Sequence, residues 1–208
     1  MEAIWAIIGV VIGWLLGLSN HWILRYFKKG DLQNMILSEL ENTSALLAIT
    51  RYRIQMHLGN YNRNDLIWVK NAIEKSDDNS LKNIQSTIEK LIKLDDAQIK
   101  VLALSRKAPA NKSLTLKQFN IPLIKSALNE LSVFDSKFQK GVLKIYHGIN
   151  ILNEEINLSK EYFDMTFIPE TMELNASNIE KNINDSYENI CKRCKWIIED
   201  IEKLLSLN

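Results

Sequence analysis

The chain has 208 residues, with 26 Lys plus Arg against 25 Asp plus Glu and a formal net charge of +1. That length holds one short apolar segment and one ordinary domain rather than two catalytic modules, and the balanced charge excludes the strongly basic surface of a dedicated nucleic-acid binder. Hydrophobic residues at 46% with only 7 Gly and 3 Pro exclude a turn-rich β architecture, and two cysteines, Cys191 and Cys194, suit reduced cytosolic thiols better than a secreted disulfide framework.

From Ala3 to Leu24 there is no acidic or basic residue, and an apolar helix of roughly 20 residues crosses a ~30 Å hydrocarbon core. The segment is therefore expected to be a retained, single-pass membrane helix. A cleaved leader would begin with positive charge and end in small residues, whereas Glu2 opens this one and Trp22, Ile23 and Leu24 close it. Arg25, Lys28 and Lys29 follow at once, which places the C-terminal bulk in the cytoplasm and the N-terminus outside an inner membrane. Gly9, Gly13 and Gly17 recur every four residues, and their face continues to Asn20 and His21. The functional reading of this ridge is close helix–helix packing in a homo-oligomer. The plainer reading is the general abundance of glycine in membrane helices. Asn20 and His21 then either bond across the oligomer, near a pore mouth, or sit at the lipid interface.

The expected division is an anchor with its basic flank, 1–29, and a helical cytosolic domain, 30–208. Gly30 and Asp31 form a joint, with Asp31 capping a helix that runs to about Leu58 and stops at Gly59 and Asn60. A short helix follows over about Asn64–Lys75. Ser80 caps another, whose Leu81, Ile84, Ile88, Leu91, Ile92, Ile99 and Leu102 share one side as far as about Leu104. The stretch from Arg106 to Thr115, with Pro109 and Asn111, reads as the longest exposed loop. Helix resumes near Ile121 with Pro122 in its first turn, breaks near Asp135 and continues through Leu143, Ile149 and Ile156. A last helix starts at about Glu170, after Pro169, and runs nearly to the C-terminus. The fold class is thus all-α: a transmembrane helix followed by an antiparallel bundle of four or five helices.

Three groups carry chemistry. Arg51 and His57 are separated by five residues. A histidine can move the proton of a ribose hydroxyl while an arginine offsets charge developing on the phosphate. The bland reading is two surface residues. Between Ala97 and Asn129 there is no acidic residue, but Lys100, Arg106, Lys107, Lys112, Lys117 and Lys125 fall there. This is an anionic-ligand candidate for RNA phosphates or lipid head groups, or simply a solvated basic stretch. Cys191 and Cys194 make half a zinc site at most, with no second CxxC, so no metal is assigned. No phosphate loop, nucleophile elbow or HExxH motif is present, and no cofactor is implied.

The Arg51/His57 spacing resembles the R-x4-6-H rule of HEPN ribonucleases, although Tyr52 stands where that family usually has a polar residue, and the pair sits early in the chain. In layout the anchor, basic joint and small helical domain resemble membrane-anchored accessory effectors of prokaryotic antiviral, CRISPR-associated defence with a degenerate HEPN-like bundle. That resemblance implies a homo-oligomeric membrane effector whose pore depolarises an infected cell, with RNA or a defence effector protein as partner. Two alternatives stand beside it. One is a membrane-tethered ribonuclease using Arg51 and His57, and the other a non-catalytic scaffold that binds a partner protein.

Overall fold

The computed structural model describes residues 2–76, 78–109 and 112–207, and the side chains of all of these except 2–28 and 169–176. Among the described residues there are seven α-helices and no strand. They are α1 (Glu2–Leu58), α2 (Arg63–Glu74), α3 (Lys82–Ile92), α4 (Asp96–Ser105), α5 (Pro122–Ala127), α6 (Ser136–Asp164) and α7 (Pro169–Leu205), with 3-10 turns at Asn79–Leu81, Leu128–Val133 and Met165–Phe167.

The anchored architecture expected from the sequence is corrected here: among the described residues no helix is long and apolar enough to cross a membrane. The helices α6 and α7, 29 and 37 residues long, have the length, but charged residues punctuate both. From residue 29 onward, where its side chains are described, α1 carries Lys29, Asp31, Glu39, Glu41, Arg51 and Arg53. Each such charge in lipid would cost several kcal/mol, about 2.5–3.5 at a helix centre. The inner-membrane placement with the N-terminus outside falls with the pass. Gly9, Gly13, Gly17, Asn20, His21, Arg25 and Lys28 lie outside the residues whose side chains are described. Lys29 is described, and its Nζ stands 6.0 Å from the centroid of the Phe134 ring.

The core is built by three long helices. Cys191 on α7 meets the carbonyl of Arg51 on α1, with Sγ 3.8 Å from the oxygen, and the Tyr187 ring packs against His57. Successive contacts therefore run in opposite directions along α1 and α7. On its other side α7 runs antiparallel to α6: Ile197 faces Gly148, and Leu204 faces Gly141. Their shared interior includes Leu40, Leu47 and Ile54 of α1, Ile149 and Leu152 of α6, and Ile190 and Ile201 of α7, all at most 1% exposed. Each fully buried side chain of this kind stabilises the fold by about 1.5–3 kcal/mol. Lys144–Asp200 and Lys75–Glu202 ion pairs, at 2.6 and 2.8 Å, cross the outer edges.

Local signals explain the ends. The helix α1 stops where Gly59 adopts φ +68°, and its N–H and that of Asn60 return to the carbonyls of Met56 and Gln55 at 3.2 and 3.0 Å. This is the Schellman arrangement, in which a left-handed glycine closes the last carbonyls. By contrast, the expected joint at Gly30 and Asp31 does not interrupt α1. A glycine in a helix interior costs only about 1 kcal/mol, and here nothing crowds it.

The single helix expected from Leu81 to about Leu104 is in fact two, α3 and α4. Asp95 caps α4 in a reciprocal box with Gln98, at 2.7 and 3.0 Å. Asp78 rather than Ser80 opens the preceding turn, accepting from the Ser80 N–H at 2.8 Å. The break near Asp135 is as expected, because its carboxylate caps α6 through the N–H groups of Lys137 and Phe138. Leu143, expected inside, is exposed, and Val142 is buried in its place.

The loop expected from Arg106 to Thr115 carries no helix or strand over its described residues, and none of them is buried. The irregular chain continues beyond it to Ile121, with Leu116 and Ile121 buried, as a strap held to the long helices. Ala108 N–H donates to the His57 carbonyl at 2.9 Å. Leu114 N–H donates to the Tyr187 hydroxyl at 2.9 Å. The Asn153 amide exchanges two bonds with the backbone of Phe119, at 2.8 and 2.9 Å. The strap then enters α5, whose first N–H groups, from Leu123 and Ile124, donate to the two Glu39 carboxylate oxygens at 3.0 and 2.7 Å. A side chain on α1 thus caps a helix eighty residues further on.

Candidate functional site

Arg51 and His57 sit on the last two turns of α1. Six residues advance a helix by about 600°, so their side chains leave the axis about 120° apart. Arg51 turns toward α2. Its guanidinium pairs with Asp65 at 2.8 Å, both side chains being largely buried at 15% and 12% exposure. It also lies 4.8 Å from the centroid of the Trp68 ring. Asp65 has a second task. Its other oxygen accepts from the Asn62 N–H at 3.1 Å while the Asn62 side chain accepts from the Asp65 N–H, closing the capping box of α2. One carboxylate therefore starts α2 and holds it to α1.

His57 turns toward α7, its ring edge-on to Tyr187 with centroids 5.4 Å apart. Burial lowers its pKa below the usual imidazole value, because desolvation disfavours the charged form. It lines a groove of about 500 Å³ with Lys107, Lys112, Glu180 and Asn184. The two members of the candidate pair thus face different neighbours.

The six basic residues of the acid-free stretch are not brought into one patch. Lys107 and Lys112 share the His57 groove. Lys100 lines a separate recess of about 320 Å³ beside Arg63 and Asp96. Lys117 belongs to a third groove, of about 480 Å³, with Arg53 and Phe119. Arg106 is the C-cap of α4, and Lys125 lies in the last turn of α5.

Several groups escaped the sequence reading. Arg63 donates to the carbonyls of Ile92 and Leu94 and to Asp96 at 2.7 Å, clamping the end of α3 to the start of α4. Tyr52 and Tyr61 meet edge to face at 5.9 Å. Their hydroxyls and the Gln55 Oε1 are buried without a hydrogen-bond partner among the described residues. Burial pushes Tyr52 up to about 12 and raises Tyr61 as well. No local pattern announces these contacts, since each joins residues on different elements or opposite sides of a turn. Burial pushes the Cys191 thiol up to about 12 and raises that of Cys194 as well. Among the described residues no group of acidic, histidine and cysteine side chains is arranged to hold a metal ion. No protein-family model, curated protein or solved structure matches the chain.

Proposed function

We propose that the chain is a non-catalytic helical scaffold that acts by binding protein surfaces. The observation that carries this reading is the double engagement of Arg51 by Asp65 and Trp68. An arginine that stabilises a phosphate must be free to meet it. Pulling Arg51 away would leave a mostly buried carboxylate without its counter-ion, and breaking a buried pair in this way costs about 3–5 kcal/mol. His57 adds to the case, because its ring packs against Tyr187 of α7 while Arg51 is engaged at α2, so the two side chains face different neighbours. The oligomeric effector expected from the sequence becomes, without its membrane pass, an assembling scaffold.

The ribonuclease alternative makes an opposite forecast for one variant. With purified full chain and single-stranded RNA, His57→Gln is expected to leave RNA as intact or as degraded as the wild type does. Cleavage that disappears in His57→Gln while the melting temperature stays unchanged would show a catalytic histidine and end the scaffold reading.

A further inference from the structure

We infer that the outward face of α4 on one copy docks against the acidic stripe of α6 on a second copy. The inference rests on the scaffold reading and supplies its partner. The helix α4 presents Val101 and Leu104 to solvent at 68% and 59% exposure, with exposed Lys100 beside them and exposed Lys107 just past the helix end. The inward side of the helix is carried by Ile99 and Ala103, which are buried.

On α6 the residues Ile151, Glu154, Leu158 and Glu161 recur at helical spacing along one stripe. Glu154, Leu158 and Glu161 are exposed and Ile151 is partly so. Among the described residues none of Lys100, Lys107, Glu154 and Glu161 takes part in an ion pair. Glu154 and Glu161 are seven residues, about 10.5 Å, apart on α6, while Lys100 and Lys107 border different recesses to either side of Val101 and Leu104 in the chain. Laid together, Val101 and Leu104 cover Ile151 and Leu158, and a face bordered by lysines meets a stripe bordered by glutamates.

Charge selects this arrangement over its symmetric competitors. Two α4 faces would bring lysines together and two α6 stripes would bring glutamates together, and like-charge juxtaposition is strongly unfavourable at an interface. A face that pairs only with a different face makes a heterologous contact. Each added copy then offers a fresh face, so the product is a ring or a filament rather than a closed dimer.

The test is mass by analytical ultracentrifugation over a concentration series. The full chain is kept in a mild detergent because residues 3–24 carry no charge. Wild type should assemble beyond the dimer, and raised salt should weaken the assembly. Lys100→Glu with Lys107→Glu should weaken association at least about tenfold, and so should Glu154→Lys with Glu161→Lys. Mixing these two variants should restore assembly, since each reversed face then meets an opposite charge on its neighbour. Melting temperatures of the variants establish that they remain folded. A wild-type monomer at every concentration overturns the inference, and so does an oligomer indifferent to both reversals or a mixture that fails to recover. None of those failures touches the scaffold reading, which falls instead on the His57→Gln cleavage result.

Discussion

At the corner where α1 meets α2, and on the outward faces of α4 and α6, the chain uses similar side chains for opposite ends. The corner holds Arg51, Asp65 and Asn62 in mutual contact, shielded by Trp68, with every charge answered inside the molecule. The outward faces hold Lys100, Lys107, Glu154 and Glu161 at the surface, with no ion pair among the described residues. A charge that is desolvated and paired fixes the fold, because removing its partner leaves an uncompensated burial. A charge left in water contributes little to folding and remains available to another surface. The lesson is that the residues most suggestive of chemistry in the sequence are the ones the fold has already occupied.

This contrast can be broken from the corner outward. The largest effect is expected for Asp65→Ala, which removes both the counter-ion of Arg51 and the reciprocal half of the α2 cap. It should destabilise the chain by about 3–4 kcal/mol in chemical denaturation. Next is Gly59→Ala. The residue adopts φ +68°, and a Cβ there would lie 2.9 Å from that of Lys107 and 3.0 Å from the Ala103 carbonyl. The cost should reach about 2 kcal/mol or more.

His57 sharpens the comparison through pH. Its folded-state pKa is depressed from the unfolded value of 6.5, so the unfolded chain binds the proton first. The resulting stability is complete above pH 6.5 and declines as pH falls toward the folded pKa. A melting-temperature profile should show this acid-side loss, and His57→Gln should remove that part of it. The smallest effect belongs to the outward face: Val101→Ser and Leu104→Ser should each change folding stability by no more than about 0.5 kcal/mol, even as they weaken assembly.

How much of this was legible in the sequence depended on how local its cause is. The ends of α1 at Gly59 and of α6 at Asp135 follow from single residues, and the 3.6-residue period gave α6 and α7 at nearly full length. The break between α3 and α4 was hidden because Leu91, Ile92, Ile99 and Leu102 keep one apolar side across it, while the decisive signal was the small Asp95–Gln98 box. The loop after α4 was legible in its lack of apolar period, but its continuation to Ile121 and its anchors were not, because Tyr187, Asn153 and Asn157 come from helices far along the chain. Arg51 and His57 were visible as residue types, but their partners were not. Asp65 lies fourteen residues beyond Arg51, past the turn that brings α2 back onto α1. The apolar run at 3–24 shows the opposite hazard, since it dominated the sequence reading yet says nothing about how the rest of the bundle packs.

The most direct test of the account is a double-mutant cycle on Arg51 and Asp65. Denaturant unfolding of Arg51→Ala, Asp65→Ala and the double variant isolates their coupling, because the cap lost in Asp65→Ala cancels between the two sides of the cycle. A coupling of about 2–3 kcal/mol is expected if Arg51 is a structural group held by its carboxylate. Costs that simply add, to within about 0.5 kcal/mol, would mean that Arg51 is free for another task and would contradict it.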